Sequence, residues 1–212
     1  LRKEYPTLLT VDLVCHPTPS PLLYKEYMSY CSKKLGHEIV SIDMRYKRTY
    51  GWSKRYSYRF HFANGKKTID PTCVVNWGKL FFSEMINRPS CGKCQYTNLN
   101  RVGDFTIADF GDDAKKRTDI YSKEGTSLLL VNTEKAQSLL SKGNNSYYSW
   151  TITKDEALQP CLCHVTKQSD RRGEFWKYYY ENGFEKTYKN FFADSKYLIF
   201  KKIIKKLIKW DV

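Results

Sequence analysis

Residues 7–15 read Thr7-Leu8-Leu9-Thr10-Val11-Asp12-Leu13-Val14-Cys15, an apolar, β-branched run that predicts an interior strand. The run stops at the Pro-rich turn His16-Pro17-Thr18-Pro19. Beyond it Ser20 is placed as an N-cap and Pro21 at the first helical position. Leu23, Tyr27, Tyr30 and Cys31 then recur at helical spacing until Gly36. A buried strand this close to Leu1 is an abrupt start for a domain, so the chain is expected to be truncated at its N-terminus.

Outward from this stretch the pattern keeps changing. Residues 38–44 read as a strand. Tyr56, Tyr58, Phe60 and Phe62 alternate with Ser57, Arg59 and His61, which puts the aromatics on one face of another strand. Asn64-Gly65 predicts a hairpin turn with residues 66–69 returning. Residues 74–86 are apolar and helix-compatible, and 88–100 form a loop built around cysteines. Short buried strands are expected over 104–110 and 127–131, a helix capped by Thr133 and ended by Gly143, and a further strand over 147–152. From Arg171 the chain reads as helical and aromatic-rich. Strands and helices intermix without a regular βαβ rhythm, and there is neither a Gly-rich dinucleotide fingerprint nor a phosphate loop. The fold class is therefore α+β: a mixed sheet with flanking helices and a helical C-terminal extension.

The 212 residues carry 41% hydrophobic and 27% charged side chains, which indicates a globular fold rather than disorder. The net charge of +14 suits an anionic partner, or serves solubility alone. Within residues 197–210, Ile199, Phe200, Ile203, Ile204, Leu207 and Ile208 share one helical face. Lys201, Lys202, Lys205, Lys206 and Lys209 share the other. Such a face either packs on the domain or lies on an anionic membrane surface. No apolar run is long enough to span a bilayer and no signal peptide is read, which places the chain in the cytoplasm, either free or peripheral to the inner membrane face.

Seven cysteines, an odd number in a mid-sized chain, do not resemble a secreted disulfide framework. Cys91-Gly92-Lys93-Cys94 lets two thiolates reach one metal or cluster from a single tight loop. Cys15, at the end of a strand, is placed where rigid scaffolds display ligands. Cys31 and Cys73 read as ordinary buried thiols. Cys161-Leu162-Cys163-His164 could supply part of a zinc site with Cys91 and Cys94. No set of residues makes an acid–base pair or an activated nucleophile.

Several segments, taken in order, resemble a known family. Val11-Asp12-Leu13-Val14-Cys15-His16 with Pro19-Ser20-Pro21 is one. Arg45, Lys47, Gly51 and Trp52 are another, and Arg88-Pro89-Ser90-Cys91 through Cys94 with residues 96–101 a third. Asp104–Ile107 with Asp109-Phe110, and Gly125-Thr126-Ser127 through Asn132-Thr133, complete the series. Together they resemble the C-terminal region of coenzyme F420 hydrogenase/dehydrogenase beta subunits, of the bacterial type found in polysaccharide biosynthesis clusters.

The resemblance implies a domain over 1–165 and a helical basic extension over 166–212. It implies an electron-transfer module of a larger iron–sulfur flavoprotein oxidoreductase, relaying electrons between a [4Fe–4S] cluster and FAD or another flavin or deazaflavin. Cys15, Cys91 and Cys94 would be cluster ligands, with the fourth thiolate from a Pro-Cys-Gln motif upstream of Leu1. The partner would be an N-terminal ferredoxin-like module or an electron-donor protein. Pro17 departs from the family's Gly after Cys-His, and Gly111 follows Phe110 where the family carries Trp. Two competing readings are a zinc-bearing nucleic-acid-binding protein, using Cys91, Cys94, Cys161 and Cys163 or His164, and a non-enzymatic adaptor docked on a membrane.

Overall fold

The computed structural model describes residues 4–51, 57–71, 77–110, 117–143 and 147–192. In chain order the elements begin with β1 (Val11–Leu13), α1 (Pro21–Leu35), β2 (Ile39–Asp43), α2 (Lys47–Tyr50), β3 (Arg59–Phe62), β4 (Lys67–Ile69) and α3 (Trp77–Phe81). A 3₁₀ turn, Pro89–Lys93, precedes β5 (Phe105–Asp109) and β6 (Ser127–Val131). Helices α4 (Glu134–Lys142), α5 (Lys154–Ala157), α6 (Pro160–Cys163) and α7 (Arg172–Phe192) follow. The α+β class holds. One three-stranded sheet is mixed, with β1 parallel to β5 and β5 antiparallel to β6; the other is the antiparallel meander β2-β3-β4.

The local chemistry explains most of these elements. Helix α1 starts with Pro21, whose missing N–H costs nothing at a helix start, and ends at Gly36 with φ 70°. Ser20 sits at the N-cap with extended backbone, but its side chain makes no capping bond. Leu23, Tyr27 and Cys31 on its inner face are fully buried. In β3 the alternation resolves as read: Phe60 and Phe62 are buried while Arg59 and His61 are half-buried. Gly65, at φ 79°, makes the turn into β4. Thr133 caps α4 by accepting from the Ala136 amide.

Two cores result. The larger one joins α1, the meander, α3 and α7, with Tyr27, Phe60, Leu80 and Phe175 at its centre. The smaller one lies beneath the mixed sheet around Phe110, Ile120, Leu128, Ala157 and Leu162.

Three expectations are corrected. Residues 7–15 do not form an interior strand: only Val11–Leu13 is extended, β1 is an edge strand, and Val11 and Leu13 are 59% and 64% exposed. The mixed sheet buries one face only, that of Thr106 and Leu128, so β5 and β6 are half-covered rather than interior. Residues 147–152 form no strand, and within 74–86 the described helix is confined to Trp77–Phe81. Trp52, Tyr56, Cys73, residues 111–113 and the amphipathic stretch 197–210 lie outside the described residues.

Candidate redox centre at the end of the mixed sheet

The strand that leads to Cys15 and the loop that carries Cys91 and Cys94 are bound to each other by Asp12 and Arg101. Arg101 donates to Asp12 Oδ1 from Nη2 at 2.9 Å and from Nε at 3.2 Å. The same guanidinium donates to the carbonyls of Tyr96 and Leu13. The other carboxylate oxygen of Asp12 accepts from the Gly103 amide at 2.9 Å. Burial pushes the Asp12 carboxyl up, but bonds from Thr106, Gly103 and Arg101 outweigh it and hold it below the usual carboxylate range. Buried Asp104 makes the next anchor, accepting from the Thr10 amide and hydroxyl and from the Thr133 hydroxyl.

With the strand end and the loop thus fixed, the thiols meet over Thr18. Cys15 Sγ donates to the His16 carbonyl at 2.7 Å and lies 3.8 Å from Thr18 Oγ1. The Thr18 amide donates to Cys91 Sγ at 3.4 Å. The amide nitrogen and hydroxyl of one threonine are about 3 Å apart by covalent geometry, so the Cys15 and Cys91 sulfurs lie within about 10 Å of each other. The two segments are also stitched by their backbones: Arg88 donates to the Thr18 carbonyl, and Pro19 bridges Asn87. Cys94 closes the same 3₁₀ turn, its carbonyl held by the Thr97 hydroxyl. Asn87, fully buried beside this turn, has neither amide atom of its side chain hydrogen-bonded. Pro17, the departure from the family pattern, is buried in the turn.

A fourth thiol arrives from a distant part of the chain. Pro160 opens α6, Leu162 anchors it in the smaller core, and Cys161 Sγ comes 3.6 Å from His16 Nδ1. Burial, with Cys15 close by, pushes the Cys161 thiol up. His16 packs beside Phe81 and Phe82, at 5.4 and 5.2 Å between ring centroids. That desolvation lowers its proton affinity against the opposing pull of Glu84. Cys163 points to solvent, and Cys31 is in the larger core. Among the described residues no three His, Cys, Asp or Glu side chains are arranged to hold a single metal ion.

Next to the thiols is a cavity of about 420 Å³. Tyr58, Trp77, Phe81 and Phe82 give it aromatic walls, and Cys161 and His16 form its side toward Cys15. Its polar edge is the Arg45–Asp109 ion pair, Nη1 to Oδ2 at 2.7 Å. Gln159 donates to the Asp109 carbonyl at 2.6 Å, which ties α6 to the end of β5. Thr18 and the His16–Cys161 contact escaped the reading of the sequence. The signal for the second was a Pro-Cys helix start, obscured by the neighbouring Cys-His pair.

No curated protein and no solved structure matches the chain. The profile of a family described as the C terminus of the coenzyme F420 hydrogenase/dehydrogenase beta subunit matches residues 2–157, three-quarters of the sequence. The segments it spans hold Cys15, Cys91, Cys94 and the Asp12–Arg101 brace. On that match the chain belongs to the coenzyme F420 hydrogenase/dehydrogenase beta-subunit family.

Proposed function

We propose that this chain is an electron-transfer module of an oxidoreductase, in which Cys15, Cys91 and Cys94 hold a [4Fe–4S] cluster beside a flavin-type heterocycle. The observation that carries the reading is the meeting of Cys15 and the Cys91–Cys94 turn over Thr18, against the wall of an aromatic cavity.

The residues fit both groups. A tetrahedral zinc holds every sulfur at about 2.3 Å, so its ligands must nearly touch. A cubane cluster distributes its thiolates over separate iron atoms and takes a wider ring. Cys15 and Cys91, apart yet facing one turn, suit the wider ring. The cavity lies within the size range of cofactor sites, about 300–1,000 Å³, and its polar groups are few and gathered at one edge. The unpaired amide of Asn87 is a buried polar group with room for a further partner beside the cysteines.

Bound together, the two groups would exchange single electrons on the cluster side and electron pairs on the organic side. The chain's own work is positional. Arg101 and Asp12 hold the thiols in register, the aromatic walls exclude water and stack a flat ring, and the Arg45–Asp109 pair orients polar substituents at the rim. The Thr18 amide, donating to Cys91 Sγ, favours the charged form of that sulfur. A ferredoxin-like module or donor protein is the partner this role requires. The lysine-and-isoleucine pattern of residues 197–210 supports contact with an anionic membrane surface.

The test is a reductive titration of the anaerobically purified full-length protein. One cluster and one flavin should together accept three electrons per chain; a protein that accepts none contradicts the reading.

A further inference from the structure

The cysteine set implied by the family pattern leaves one cluster corner without a thiolate from residues 1–212. Cys161 lies beyond the part of the chain that the family profile matches. It nonetheless reaches the same turn as Cys15, because Gln159 bonds to the end of β5 and Leu162 is packed into the smaller core. With its two neighbours thus fixed, Cys161 faces His16, the residue that follows Cys15.

Of the two cysteines of α6, only this one faces the centre. Cys163, two residues on, is exposed, whereas Cys161 is half-buried and forms part of the cavity wall. Cys161 and Cys15 flank the same imidazole, and Cys15 is close enough to act electrostatically on the Cys161 sulfur.

Resting on the cluster reading above, we infer that Cys161 supplies the fourth thiolate of the cluster. Its sulfur would stand at once on the cluster and in the wall of the aromatic cavity. An iron ligand in that position gives electrons a direct way between cluster and heterocycle, without an intervening residue. Binding needs no oxidant: the thiol gives up its proton to solvent as the sulfur bonds to iron. His16 Nδ1, 3.6 Å away, is placed to take a hydrogen bond from the thiol before loading.

The test uses the full-length protein, purified without oxygen. Iron and acid-labile sulfide per chain are measured for the wild type, Cys161→Ser, Cys161→Ala and Cys163→Ser. The inference expects four irons in the wild type and in Cys163→Ser, and three or fewer in both Cys161 variants. Four irons in the Cys161 variants overturns the inference and leaves the cluster reading standing. A wild type that binds no iron overturns both.

Alkylation of the wild type provides a measurement independent of any variant's folding. Mass spectrometry should find Cys161 unlabelled while iron is bound and labelled once a chelator has removed it, with Cys163 labelled in both states. Labelling of Cys161 in the iron-loaded protein would overturn the inference.

Discussion

Arg101 and Asp12, 89 positions apart in the chain, form a two-point contact in which Nη2 and Nε share one carboxylate oxygen at 2.9 and 3.2 Å. The arginine side chain is 6% exposed and the aspartate 19%, so solvent does little to screen the pair. Because Arg101 also holds the Tyr96 and Leu13 carbonyls, it fixes the cysteine loop against the strand that ends at Cys15. The thiols are in register because of this brace.

Removing one partner strands the other charge. Arg101→Ala should lower folding stability by about 3 kcal/mol, as for other broken buried pairs. Urea unfolding of the cluster-free protein measures it. A loss under about 1 kcal/mol, the worth of an exposed pair, would mean that the brace is dispensable.

The brace also predicts a pH dependence. The folded-state Asp12 carboxyl titrates below its unfolded value of about 3.9, so its contribution is complete above that value and is lost as pH falls through the folded one. Glu185, held at about 2 by Lys189 and Lys34 on the surface, has the same sign. Salt separates them, because it screens the exposed cluster and not the covered pair. Asp12→Asn should flatten the acid limb of the stability curve in high salt. An unchanged acid limb would contradict the assignment.

Gly103 lies where strand and loop touch. A Cβ there would stand 2.6 Å from the Phe105 carbonyl and 2.9 Å from the Asp12 amide, both backbone atoms that cannot swing aside. Gly103→Ala should cost about 1–3 kcal/mol, the range for overpacking a filled space. A melting temperature equal to the wild type's would show that the contact relaxes freely.

Much of this could be read beforehand. The alternation around Phe60, the Pro21 start and Gly36 end of α1, and the Thr133 cap are local signals, and each element formed where its residues called for it. The reading of residues 7–15 failed because apolar composition does not say which strand takes the edge; Val11 and Leu13 turn to an open face. At the site, Cys91 and Cys94 were visible as a spacing. The approach of Cys161 to His16 spans 145 positions and depends on how α6 is anchored, which no local pattern encodes.

The cavity makes a separate prediction. Phe82 lines it and is half-open to solvent, so Phe82→Ala should remove stacking area without opening the core. Flavin affinity should fall about tenfold, equivalent to the upper end of an aromatic pair's worth. Fluorescence titration of flavin measures this, with melting temperature as the control; equal affinity would place the heterocycle elsewhere.

The cysteines divide by role. Cys15→Ser and Cys91→Ser should each lower bound iron, while Cys31→Ala should leave iron unchanged and cost about 1 kcal/mol of core packing. The most direct measurement of the central claim is the metal content and visible spectrum of the full-length protein purified without oxygen. Iron with matching sulfide, and a broad absorption that bleaches on reduction, is the predicted result. A colourless protein carrying one zinc per chain, whose filled d shell gives no such bands, would contradict it.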